Sequence, residues 1–118
     1  LFGDQYVSVK RAGGHLQLAF RHKDHDDKYG AVPRLLCESV AQTCGNKAIG
    51  VILAGAGEGN LDGIQALKAQ GAIIITEEPS TIMGRKVLDQ LLEKELVDES
   101  VPTHEIAATL KKFLGLHP

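Results

Sequence analysis

Tryptophan is absent from these 118 residues, and all aromatics together make up 4%. A core must therefore be built from aliphatic side chains, which a hydrophobic content of 43% can supply for one compact domain. No apolar run approaches the ~20 residues that a membrane-spanning helix needs, and no signal-peptide pattern stands at the start, so membrane insertion is not expected. Charge of one sign is also scarce. A net charge of −2 gives no general electrostatic argument for nucleic acid or an anionic membrane as partner. Only two cysteines occur, Cys37 and Cys44, seven residues apart in a helical pattern. Their Cα atoms would then lie about 10 Å apart, beyond the about 7 Å limit of a disulfide. Two thiols on one helix face and a reducing cytoplasm are the expectation. The chain begins at Leu1 rather than Met, as expected of a piece of a longer protein.

What is present is regular. "QYVSVK" and "HLQLAF" alternate apolar and polar residues around the turn "RAGG", which predicts a β-hairpin. "RHKDHDDKYG" has no period and is expected to be an exposed loop. A helix follows from Pro33, stopped by Gly45, with Leu36, Val40 and Cys44 on its core face. "AIGVILAG" and "AIIIT" are short apolar runs of the kind buried on both faces of a sheet. Between them lies a helix with Leu61, Ile64 and Leu67 inward and Gly71 as its stop. Ser80 or Thr81 can cap a third helix carrying Ile82, Val87, Leu88, Leu91 and Leu92. "LVDESV" is a short strand, and Thr103 can cap a last helix bearing Ile106, Leu110 and Phe113. The alternation predicts an α/β fold: a doubly wound, mainly parallel, Rossmann-like sheet covered on both faces, made mixed by the N-terminal antiparallel hairpin.

In such a sheet, ligands and catalytic groups collect at the C-terminal ends of the strands. "LAGAGEGNLDG" stands at one of those ends. Gly55 and Gly57 supply two glycines of a G-x-G-x-x-G fingerprint, and Glu77 follows 22 residues after Gly55, where a ribose-binding acid belongs. The third glycine position is Asn60, and a helix and hairpin precede the strand, so dinucleotide binding is kept only as an alternative. A turn that needs glycine for positive φ explains the same residues. His22, Asp24, His25, Asp26 and Asp27 share one loop but lack a further histidine at helical spacing, so no metal site is expected. No G-x-S-x-G elbow occurs, and Ser8, Ser39, Ser80 and Ser100 are not flanked for activation. His15 is expected to be a strand histidine, and Glu77 and Glu78 a polar loop start whose like charges could raise one another's pKa. No cofactor is called for.

Taken in order, "GGHLQL", "PRLLCESVAQTCG", "AIGVILAGAGEGNLDGIQALKAQGA", "TEEPST" and "LVDESVPTHEIAATLKKFL" resemble the catalytic domain of CheB-type protein-glutamate methylesterases. The resemblance runs through residues 1–118 as a single domain and matches the C-terminal two-thirds of that catalytic domain. It implies a doubly wound α/β sheet with an antiparallel hairpin, and hydrolysis of glutamyl methyl esters on chemoreceptors by a Ser-His-Asp triad. The serine and histidine that it implies come from segments N-terminal to these residues. The triad aspartate belongs in a G-M-G-x-D-G pattern. Gly55, Ala56, Gly57 and Glu58 occupy its first four positions, Gly59 stands at the aspartate and Asn60 at the next glycine. "TEEPSTIMGRKV" keeps the acidic start of a second family segment but not its tyrosine-glycine-methionine-proline continuation.

The resemblance leaves two readings of different class. One is a degenerate methylesterase-like domain serving as an interaction module in a chemotaxis or two-component signalling protein, with a chemoreceptor or other signalling protein as partner. The other is part of an active methylesterase whose serine and histidine lie outside this chain, with Asp62 or Glu58 as substitute acid. An exposed sheet edge would also let two copies pair as a homodimer.

Overall fold

The computed structural model describes residues 5–22, 31–53, 60–78 and 85–116. Strands β1 (Gln5–Ala12) and β2 (His15–His22) form the predicted hairpin. Gly13 and Gly14 make its two-residue turn at φ +59° and +82°, the mirror-image turn that matches the twist of the flanking strands. Helix α1 (Ala31–Cys44) leads into strand β3 (Ile49–Ile52), helix α2 (Asn60–Ala69), strand β4 (Ile73–Glu77), helix α3 (Arg85–Glu93), strand β5 (Glu99–Val101) and helix α4 (Ile106–Phe113). The order is the expected one. No described helix is long and apolar enough to cross a membrane.

Strands β3, β4 and β5 pair in parallel in that order. Residues in register share a face and successive residues alternate. Gly50, Ile52, Ile74, Thr76 and Ser100 therefore look one way, and Val51, Ile75, Glu99 and Val101 the other. The first face meets α2 and α3, whose Ile64, Leu67, Val87, Leu88 and Leu91 are buried with Ile52 and Ile74 in one cluster. Each fully buried aliphatic side chain there contributes about 1.5–3 kcal/mol through removal from water. On the second face, Lys112 of α4 pairs with Glu99 of β5. Helices thus lie on both faces of the sheet, and Ile74, Ile75 and Thr76 of the central strand are wholly buried.

Four expectations need correction. The hairpin does not make the parallel sheet mixed; among the described residues it pairs only with itself. β3 is less buried than expected: Ile49, Gly50 and Val51 are half-buried and only Ile52 is buried, and among the described residues no strand pairs with its outer edge. Leu92 does not face the core but lies on the exposed side of α3. Thr103 does not cap α4. It begins a short 3-10 turn, and its hydroxyl donates to Glu77 across the sheet end. The proposed caps Ser80 and Thr81, and Ile82, lie outside the described residues.

Helix α1 joins the two sheets. Toward the hairpin, Ser39 Oγ accepts a hydrogen bond from Val9 N–H at 2.9 Å and donates to its own Leu36 carbonyl at 2.8 Å. Thr43 Oγ1, four residues on, donates to Val9 C=O at 3.2 Å. The two hydroxyls stand one above the other on a helix face and take up the outward N–H and C=O of Val9 on the edge of β1. Toward the parallel sheet, α1 packs on α2 at Gly63. A Cβ built there would lie 2.6 Å from Cys37 Cβ and 3.3 Å from Arg34 Cα. A glycine in the first turn of a helix costs stability by its own propensity; here it is what lets two backbones approach.

A second fastening lies at the N-terminal end of the sheet. Asp98 N–H donates to Ile74 C=O at 2.8 Å, and Asp98 Oδ2 accepts from Ile74 N–H at 2.7 Å and from Lys68 Nζ at 2.6 Å. Partial burial pushes the Asp98 carboxyl up. The Lys68 and Ile74 hydrogen bonds, with the Lys68 charge, outweigh that and hold it below its ordinary 3.8.

Gly63→Ala is expected to lower unfolding stability by about 1–3 kcal/mol, because the methyl group cannot be placed without separating α1 from α2. Urea denaturation measures it, and an unchanged midpoint would contradict the contact. The depressed carboxyl of Asp98 contributes stability that is fully present above the ordinary value and is lost as pH falls through the folded value. Asp98→Asn should therefore cost about 1 kcal/mol at pH 7. The gap from the unsubstituted chain should narrow below about pH 4. A gap that stays constant in denaturation curves from pH 7 to pH 3 would refute the linkage.

Candidate functional site

The C-terminal ends of β3, β4 and β5 bring Ile52, Glu77 and Val101 to one edge of the sheet. The glycine loop predicted there, with Gly55, Ala56, Gly57, Glu58 and Gly59, lies outside the described residues. Asn60 is the first residue of α2, so the helix begins directly after Gly59. Asp62 is exposed in its first turn, where a carboxylate is favoured by the helix dipole. Glu77 accepts the Thr103 hydroxyl. Glu78 N–H donates to Val101 C=O at 2.9 Å, which prolongs the β4–β5 ladder by one bond. Both predicted acids at this strand end therefore have a structural setting, one by its side chain and the other by its backbone.

Beneath them, Thr76 is wholly buried on the face covered by α2 and α3, and its Oγ1 has no hydrogen-bond partner among the described residues. Ser100 is its neighbour in register on β5. Gln90 Oε1 on α3 is likewise buried without a partner among the described residues.

The remaining candidates are scattered. His15 and His22 sit exposed at the two ends of β2. Asp24, His25, Asp26 and Asp27 lie outside the described residues, as does Ser80. No group of three His, Cys, Asp or Glu side chains among the described residues is placed to hold a metal ion. Ser39 is committed to the hairpin edge. Cys37 and Cys44 are both free thiols, half-buried on α1. Burial, with a smaller push from the Glu38 charge, raises the Cys37 thiol above its ordinary value, so it is kept protonated and unreactive. Asp98, the carboxylate with a lowered pKa, is at the opposite end of the sheet.

A family model described as CheB methylesterase matches residues 3–110. The chain belongs to the CheB methylesterase family. It is 28% identical over 112 residues to protein-glutamate methylesterase/protein-glutamine glutaminase 2 of Nitratidesulfovibrio vulgaris, covering 95% of this chain and 30% of that protein. It is 28% identical over 116 residues to the protein-glutamate methylesterase/protein-glutamine glutaminase of Pyrococcus abyssi, covering 97% of this chain and 31% of the other. The chain thus spans about a third of the length of these relatives. In structure it is similar to the Thermotoga maritima CheB methylesterase catalytic domain, with a TM-score of 0.75 at 24% identity, covering 94% of this chain and 59% of that one. The family's fold is the one described above.

Sequence reasoning took Gly63 as part of the glycine loop. Its position three residues inside α2 and its closeness to Cys37 make it a packing glycine. The signal available was a glycine inside an apolar helical period. The pairing of Ser39 with Thr43 was also missed. Its signal is two hydroxyls at i, i+4 on a helix that follows a hairpin.

Replacing Thr76 by valine keeps shape and removes a buried hydroxyl that has no described partner. The expected outcome is a gain of about 1 kcal/mol in urea unfolding. A loss of stability would mean that the hydroxyl is bonded in the folded chain.

Proposed function

We propose that this member of the CheB methylesterase family is a degenerate domain that has kept the family's fold and lost its ester-hydrolysing triad. It serves as a binding module in a cytoplasmic chemotaxis or two-component signalling protein. The observation that carries this is Gly59, which stands where the family pattern has its triad aspartate. A side chain of one hydrogen can neither orient a histidine nor stabilise its protonated form. Loss of that acid alone typically costs ~10⁴-fold in turnover. The settings of Glu77, which accepts Thr103, and of Asp62, which is exposed at a helix start, support the same conclusion. A chemoreceptor or another signalling protein is the partner that this role requires.

The names of the relatives favour a second reading, in which the chain is part of a working methylesterase. The serine and histidine would then come from residues outside these 118, and Asp62 or Glu58 would take the place of the acid. Methanol release from a glutamyl-methyl-ester peptide, measured on the full-length native protein, distinguishes the two. No release above the uncatalysed rate is expected. Turnover that falls about 100-fold or more in Asp62→Asn or Glu58→Gln would establish the second reading instead.

A further inference from the structure

The hairpin carries a surface that the folded chain does not use. Leu16, Leu18 and Phe20 are 54%, 61% and 57% exposed, although they alternate along β2 as a buried face would. Leu18 and Phe20, with Val7 and Leu36 of α1, line an open apolar groove of about 300 Å³. Scattered apolar residues on a surface are ordinary, but three in register along one strand are a patch.

The backbone of the same three residues is also open. The N–H and C=O of Val9 are directed at Ser39 and Thr43 of α1, away from β2. Val9 and its partner Leu18 are therefore a non-hydrogen-bonded pair of the antiparallel ladder. Leu18 then turns its own N–H and C=O outward, to the far edge of β2. Leu16 and Phe20, opposite Arg11 and Val7, share that parity. Among the described residues no strand pairs with this edge. On the edge of β1, helix α1 takes up the N–H and C=O of Val9, whereas that of β2 offers three sets of backbone groups together with three apolar side chains.

Charge decides what fits there. From Gln5 to His22 the hairpin holds Lys10, Arg11 and Arg21 and no acidic residue, although the chain as a whole is at −2. Arg21 of β2 and Lys10 of β1 lie on the face opposite the apolar stripe, with His15 and Gln17, whereas Arg11 of β1 shares the stripe's face opposite Leu16; Arg21 rests on the Tyr6 ring at 4.6 Å. A strand added to β2 would present alternate residues to the two faces. One set would meet Leu16, Leu18 and Phe20, the other His15, Gln17 and Arg21. We propose that the outer edge of β2 docks an extended, acidic segment of a partner protein by strand addition, with apolar residues alternating with carboxylates. Main-chain hydrogen bonds supply the affinity of such a mode and the alternate side chains its selectivity. A second copy of this hairpin fits worse, because between Gln5 and His22 it brings no carboxylate to meet Arg21. The proposal does not depend on whether the domain hydrolyses esters.

The probe is an acetylated ten-residue peptide alternating valine with glutamate, titrated into the isotope-labelled chain. Saturable binding is expected, with amide shifts and slowed hydrogen exchange at Leu16, Leu18 and Phe20. Affinity should fall about tenfold or more between low and high salt, as screened charge pairs do. The same peptide N-methylated on alternate residues should lose binding, and Leu18→Glu should weaken it about tenfold or more. Leu18 is exposed, so this change leaves the fold intact. Equal binding of the valine–lysine counterpart, indifference to N-methylation or to Leu18→Glu, or no saturable binding would each overturn the proposal. So would a dimer in sedimentation that protects the same amides without peptide.

Discussion

Helix α1 approaches α2 so closely that a methyl group at position 63 would collide with Cys37, and the arrangement of the whole chain depends on that approach. Among the described residues, the antiparallel hairpin and the parallel sheet share no strand pairing. What connects them is α1, which holds β1 through Ser39 and Thr43 on one side and lies against α2 on the other. Close packing leaves no room for slack at such a contact, since interiors have the density of organic crystals. Displacing α1 would move the hairpin with it and open the cluster around Ala41, Ile64 and Leu67. The glycine sacrifices helix propensity so that two larger units can be joined.

At the strand ends, α2 begins at Asn60, directly after Gly59 in sequence. On the hairpin, α1 closes one edge and leaves the other exposed. Natural sheets usually protect an edge with charge, proline or a covering element. β2 has Arg21 on one face and an apolar stripe on the other, the combination on which the proposed docking of an acidic strand rests. The proposed loss of catalysis and the proposed docking edge are compatible, because they reside on different elements.

Much of the fold was legible because its signals are local. Alternation in "QYVSVK" and "HLQLAF", unbroken apolar runs in "AIGVILAG" and "AIIIT", and the glycines at 13, 14, 45 and 71 mark strands, turns and helix ends through periods and φ values that each segment sets alone. The site was legible only as a pattern: Gly59 in the place of an aspartate is visible in the sequence, whereas the partners of Glu77 and Asp98 are not. Thr103 was read as a helix cap because threonine before a helix usually is one. Its hydroxyl instead reaches Glu77, 26 residues away in sequence. Leu92 fits the apolar pattern of α3 but falls on its outer side, because Val87, Leu88 and Leu91 already fill the contact with the sheet.

By itself, the sequence determined the element order, the turn glycines, the family resemblance and the glycine at position 59. All of these follow from residue types at short spacing. Tertiary structure alone decided that the hairpin stays apart from the parallel sheet, that Gly63 serves packing, and that Asp98 fastens β4 to the end of α2. It also decided which hairpin edge is closed. These depend on groups 24 to 34 residues apart meeting in space, and chain separation of that size carries no periodic signal.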